Sequence, residues 1–248
     1  MIEISGLHKR LGRHPVLKGV DLAIKKGETI TVIGRSGEGK SVLLKHIIGL
    51  FRPDSGSIVV DGDDITGYKT AEIFELRRRF GMLFQGSALF DSLTVEENVG
   101  LGLREHRVYP DRDIKKLVRD KLAQVGLAGI ENKRPAELSG GMKKRVGLAR
   151  AIAMSPEYIL YDEPTTGLDP ITADSINNLI VRLKTELKIT SIAVTHDMAS
   201  AYKISDRIAM LHDGMIIYSG TPADIKECDS GIVRQFIEGE AEGPITGF

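Results

Sequence analysis

The chain has 248 residues, 42% of them apolar, and its 34 basic residues balance 34 acidic ones; that content suits one large domain, or a domain with an inserted subdomain, and the charge balance argues against a nucleic-acid-binding surface. No apolar run approaches the roughly 18 residues of a membrane span, and His8, Lys9, Arg10, Arg13 and His14 stand where a signal peptide would have its apolar core. Cys228 is the only cysteine, so no internal disulfide is possible and a reducing compartment is expected: a soluble, cytoplasmic protein, compatible with docking onto a membrane protein.

The first ninety residues read as short strands and turns. Ile2–Ile4 and Val20–Ile24 alternate, and Pro53-Asp54-Ser55-Gly56 and Asp61-Gly62 bracket a strand over 57–60. An antiparallel sheet is expected here. Asp61, Asp63 and Asp64 resemble a metal cluster, but solvated turn carboxylates are the better reading. Between these strands, Glu28–Ile33 is a β-branched run, read as a buried strand. It leads into Gly34-Arg35-Ser36-Gly37-Glu38-Gly39-Lys40-Ser41, a complete G-x-x-x-x-G-K-[ST] loop. A triphosphate is a dense block of negative charge, and backbone N–H groups reach it only where side chains do not intervene. Gly34, Gly37 and Gly39 meet that need. A helix over 40–50 then offers unpaired N–H groups and a partial positive charge. Lys40 adds a full charge near the β- and γ-phosphates, and the Ser41 hydroxyl suits Mg²⁺. The expected ligands are therefore ATP and Mg²⁺.

Gln85 follows Phe80–Phe84 and is a weaker candidate for contacting Mg²⁺ or the attacking water. The run Arg77-Arg78-Arg79 is expected to be solvated. From Asp91 to about Ser155 the pattern turns helical. Over 111–125, Ile114, Leu117, Val118, Lys121 and Leu122 recur at helical spacing, and Arg112, Lys115, Lys116, Arg119 and Lys121 are expected on a solvated face. Ser139, Gly140 and Gly141 then open a helix over 142–154, about a hundred residues after the phosphate loop.

Apolar strands resume at 158–161 and 190–195, with a helix over 171–187 between them, a βαβ pattern. Asp162 ends the first of these strands, where an aspartate holds Mg²⁺ through water. Glu163 is the candidate general base for the attacking water. His196 follows the second strand and is a candidate γ-phosphate donor. Residues 207–211 and 215–219 flank Asp213-Gly214, a hairpin signal. One ATP cannot easily use two helix N-termini a hundred residues apart in one chain. The economical arrangement is a head-to-tail dimer, each ATP lying between one chain's phosphate loop and the other chain's Ser139 helix.

Taken in order, these motifs resemble the ATP-binding cassette (ABC) ATPases over about residues 2–240. Gly34–Ser41 is similar to their Walker A, Tyr158–Glu163 to Walker B with the catalytic glutamate, and Leu138–Met142 to their signature. Gln85, Gly167–Pro170 and His196 are similar to the Q-, D- and H-loops. The resemblance implies an α/β fold: a RecA-like P-loop NTPase core and antiparallel β subdomain over 1–90 and 156–240, an inserted helical subdomain over 91–155 that touches a membrane permease, and a tail over 241–248. It also implies an ATPase whose homodimer closes on ATP and reopens on hydrolysis. Met142 stands where the signature has glutamine, and Leu11 where an aromatic stacks on adenine; Arg10 or Arg13 is a candidate substitute.

A narrower likeness rests on residues 85–95, the Leu138–Met142 signature, Asp169–Thr172 and 234–245, which are similar to ATPases of MCE-type (Mla) phospholipid transporters. It implies lipid movement between inner and outer membranes, with a transmembrane permease, an MCE-domain lipid-binding protein and a STAS-domain subunit as partners, and peripheral association with the inner membrane through the permease. The rival expectations are an importer of another small solute, a soluble ABC ATPase acting on DNA or ribosomes, and a nucleotide sensor without turnover. DNA-repair members carry a long coiled coil and translation members two cassettes, and this chain has neither. Intact Glu163 and His196 argue against the sensor.

Overall fold

The computed structural model describes residues 1–107 and 109–246. The chain forms two compact units, Met1–Lys69 with Ile192–Phe248, and Thr70–Ser191. In the first unit, β1 (Ile2–Leu11) and β2 (His14–Ile24) pair antiparallel from Ile2↔Ile24 to Leu11↔His14. The sequence revealed only one end of each strand. Register shifts between Ile4 and Leu7 and between Lys9 and Arg10 break the two-residue period that advertises a strand. Strand β3 (Thr29–Ile33) is buried along its whole length, and α1 (Lys40–Ile47) follows the glycine-rich loop. Strand β4 (Ser55–Val60) lies antiparallel to β1, with Ile2↔Val60 in register, and β5 (Asp63–Asp64) completes this sheet. The expected antiparallel sheet is therefore present. Asp63 and Asp64 are exposed; Asp61 holds the N-terminal ammonium, and Asp64 accepts from the Thr66 amide. Asp61 is thus a turn carboxylate, and Asp63 and Asp64 are exposed carboxylates of the short strand that follows.

The second unit opens with α2 (Thr70–Arg78) and β6 (Phe80–Leu83). Helix α3 (Val95–Glu105) starts in a reciprocal capping box between Thr94 and Glu97. Helix α4 (Asp111–Gln124) buries Ile114, Val118 and Leu122, as its spacing predicts. One expectation fails here: Lys121 sits on that buried face and not among the solvated basic residues, and burial lowers its pKa. Its stem fills apolar space, as long amphipathic side chains do. Arg79 also departs from a purely solvated run, pairing with Glu157 at 2.9 Å. Helix α5 (Gly140–Ile152), strand β7 (Tyr158–Asp162), parallel to β6, and helix α6 (Pro170–Leu187) complete the unit.

Strand β8 (Thr190–Thr195), wholly buried, carries the chain back to the first unit. There α7 (Met198–Ile204) precedes β9 (Arg207–His212), which runs parallel to β3 and antiparallel to β10 (Met215–Gly220). Asp213 and Gly214 both adopt positive φ, the backbone of the hairpin turn the sequence signalled. Helix α8 (Gly231–Glu238) packs Val233 into a cluster with Ile33, Ile208, Met210, Ile225 and Ile245. Covered parallel strands, a mixed sheet and surrounding helices make the expected α/β fold.

Candidate functional site

In the first unit, β3 ends at Ile33 and the chain turns through Gly34–Gly39 into α1. A Cβ on Gly34 would stand 2.4 Å from the Leu211 carbonyl oxygen, so this glycine lets the loop lie against β9. Gly39 caps α1 in the left-handed region, with no side chain bonded to the first turn. No acidic residue occupies that turn, so the helix end keeps its partial positive charge for an anion. Lys40 is buried, and its Nζ donates to the carbonyls of Gly34 (2.6 Å) and Arg35 (2.9 Å). Ser36 and Gly37 are exposed and Ser41 is half-buried. Two loop side chains are already engaged within the protein. Glu38 accepts from the Asp213 amide at 2.7 Å, bracing the loop against the β9–β10 turn, and Arg35 Nη1 donates to the Thr246 carbonyl at 3.5 Å. Glu38 therefore shapes the loop. In the same unit His196 is exposed just beyond β8, and Asp197 caps α7 through the Ala199 amide.

In the second unit, Asp162 ends β7 and Glu163 follows it, at 7% and 8% exposure, unusual burial for carboxylates without a function. Glu163 has φ of 49°, a conformation rarely adopted by a side chain of this size. Thr166 Oγ1 donates to Glu163 Oε2 at 3.0 Å and fixes the carboxylate's direction. Gln85 is exposed two residues beyond β6. Ser139 caps α5, accepting from the Met142 amide at 3.3 Å, and Ser139 and Gly140 are exposed. Gly141 is not: its Cβ would meet Thr172 Cγ2 at 2.6 Å. The second glycine of the pair allows α5 and α6 to touch, and at the first a Cβ would meet Leu168 Cδ2 at 3.3 Å. Asp169 caps α6 through the amides of Ile171 and Thr172, and hydrogen bonds from Thr172 hold its carboxyl below the usual range.

The sequence reading passed over two cations on α5. Lys144, 4% exposed, donates to the carbonyl oxygens of Gln85 and, at 3.0 Å, of Glu163. Burial pushes its pKa down to about 8, against the pull of the Glu163 and Asp162 charges. Arg150 donates to the carbonyls of Ser87 (2.6 Å) and Ala88 (2.7 Å). The signal was present: Gly141, Lys144, Leu148 and Ala151 fall three and four apart on one buried helix face, and a lysine in such a stripe asks for buried oxygen partners.

The first unit carries a glycine-rich phosphate cradle with the buried Lys40, and the second a buried, directed carboxylate, Glu163. The family model described as ABC transporter matches residues 17–166. The chain belongs to the ABC transporter family. It is an ATPase of that family. Among curated relatives, the probable ribonucleotide transport ATP-binding protein mkl of Mycobacterium tuberculosis is 42% identical over 98% of this chain and 68% of its own length. The intermembrane phospholipid transport system ATP-binding protein MlaF of Haemophilus influenzae is 41% identical over 99% of this chain and 93% of its own. Among solved structures, the ATP-binding cassette MJ0796, in a dimeric post-hydrolysis state bound to ADP and Pi, superposes with a TM-score of 0.82 at 33% identity, over 90% of this chain and 99% of that one.

Proposed function

We propose that this ABC ATPase powers phospholipid transport between inner and outer membranes. The observation that carries the lipid reading is the likeness to MlaF over nearly the full length of both chains. The partners proposed with it are a second copy of this chain, a transmembrane permease, an MCE-domain lipid-binding protein and a STAS-domain subunit, placing the chain at the cytoplasmic face of the inner membrane. Among the described residues no helix is long and apolar enough to cross a membrane, so the membrane path lies with the permease.

For the reaction, we assign the triphosphate to the amides of Gly34–Ser41 and to Lys40, with Ser139, Gly140 and Gly141 of the second copy closing on it. Mg²⁺ suits the donors Ser41, Gln85 and Asp162: a hydroxyl, an amide oxygen and one carboxylate are all hard oxygen ligands, the set this ion takes alongside phosphates. When bound it neutralises charge on the phosphates. Glu163, with its carboxylate directed by Thr166, accepts the proton of the attacking water, and His196 donates a hydrogen bond to the γ-phosphate. Each of these roles removes charge or disorder from the transition state rather than forming covalent bonds to the protein.

A second reading, an importer of another small solute, draws on the likeness to mkl, whose name specifies ribonucleotides. Purification of the native membrane complex, followed by mass spectrometry of its proteins and lipids, separates the two. A permease with an MCE-domain protein and bound phospholipid supports the first reading. A permease with a solute-binding protein and no lipid overturns it, and ribosomes or DNA in place of a permease overturn both.

A further inference from the structure

Three non-glycine residues in the second unit stand in the left-handed region beside groups assigned to the reaction: Ser87 (φ 62°), Ala88 (φ 44°) and Glu163 (φ 49°). Such backbone persists only where its surroundings over-determine it. In each case a carbonyl oxygen is held by a cation from one helix, α5: Ser87 and Ala88 by Arg150, and Glu163 by Lys144. Lys144 simultaneously holds the Gln85 carbonyl. The helix lies close to this segment, since a Cβ on Gly147 would stand 2.7 Å from Leu83 Cδ1.

We propose that Lys144 is a positioning residue for ATP hydrolysis, fixing the Glu163 peptide and the Gln85 segment to the helix that begins at Ser139, with Arg150 as its second anchor. The inference rests on the assignment of Glu163 as general base. A lysine needed only for volume would be replaceable by methionine, and its charge would be an unrewarded cost of burial. Here two of its three donors bridge the carbonyls of Gln85 and Glu163, which lie on separate loops. The bridge makes the direction of the Glu163 side chain depend on where the Gln85 segment stands. It also ties both to the Ser139 end of α5. A permease-driven displacement of residues 85–88 would reach the carboxylate through this one ammonium group.

The test is steady-state ATP hydrolysis by the intact transporter carrying Lys144→Met, Lys144→Gln or Lys144→Arg, with Glu163→Gln in parallel and thermal unfolding of each variant. Lys144→Met is expected to lower kcat by about 10–100-fold, the scale of a misplaced catalytic group, with KM for ATP changed less than about threefold. Lys144→Gln and Lys144→Arg, which restore a donor, are expected to recover at least part of kcat at unchanged KM. If Glu163→Gln is inactive while Lys144→Met turns over at the wild-type rate, the positioning role is wrong and the general-base assignment stands. If Glu163→Gln retains turnover, the assignment of Glu163 falls and this inference with it. Loss of kcat, KM and melting temperature together in all three Lys144 variants would mean a packing role and would also overturn it; should Lys144→Met not fold, Lys144→Leu, which likewise has no donor, is read by the same criteria.

Discussion

Gln235 holds the chain's last described residues by both ends of its amide. Its Oε1 accepts from the Ile245 amide at 2.6 Å, and its Nε2 donates to the carbonyls of Glu240 (3.3 Å) and Ile245 (3.4 Å). Gln235 is 4% exposed and Ile245 5%, so this is a buried polar network with its donors and acceptors matched. The 234–245 stretch that resembled the lipid-transporter ATPases therefore contains a fold-stabilising clamp. Gln235→Leu should leave the Ile245 amide without its acceptor and cost about 1–3 kcal/mol. Urea denaturation measures the loss, and limited proteolysis should cut near 240–246 first. An unchanged midpoint and cleavage pattern would show that Ile245 is held by its apolar contacts alone.

Glu163→Gln keeps the shape and removes the base. ATP binding should persist, hydrolysis should fall by about 10²–10⁴-fold, and an ATP-bound dimer should accumulate. Size-exclusion chromatography with ATP checks the dimer, and phosphate release checks turnover. Full turnover with only monomer would assign the base elsewhere.

Ser139 is exposed at the open end of α5. If that end closes on ATP held by a second copy, Ser139→Arg in one subunit should impair hydrolysis at the nucleotide bound by the other. Mixed dimers made from Ser139→Arg and Lys40→Ala chains measure this. Depending on which subunit carries which change, either one or both sites are spoiled: with the two changes on separate chains both fall on one composite site, leaving the other intact. About half of wild-type turnover is then expected where sites act independently, and none where hydrolysis needs both. A dimer with both changes on one chain should turn over little or nothing; half of wild-type turnover there, with none in the dimer that separates the changes, would remove the head-to-tail arrangement.

His46 on α1 is 1% exposed, and its Nδ1 lies 2.8 Å from the Val42 carbonyl. Burial lowers its pKa, opposed by the Val42 contact and reinforced by Lys9. The folded protein thus keeps His46 neutral where the unfolded chain takes up a proton. Stability should fall as pH drops below the ordinary value of 6.5 toward the lowered one, because there the unfolded state binds more protons. His46→Gln should flatten that part of the stability–pH curve. Equal slopes for both proteins would place the acid sensitivity in other groups.

Local chemistry made much of this protein legible in advance. The phosphate loop requires glycines, a lysine and a hydroxyl in adjacent positions, so Gly34–Ser41 announces itself. Strand β8 and helix α4 follow period and burial that six to fourteen residues reveal unaided. The Asp213-Gly214 hairpin needs only its turn. Tertiary structure decided the rest. The full length of β1 and β2 was hidden because bulges shift the alternation partway along. Lys121 and Lys144 look like surface charges until helix packing turns them inward. Gly141 reads as a ligand glycine, and only packing reveals that its missing side chain also makes room for Thr172 of α6. The left-handed backbone of Glu163 and the cations that hold it join residues 85–88, 144–150 and 163, and contacts at that separation leave no period in the sequence to read.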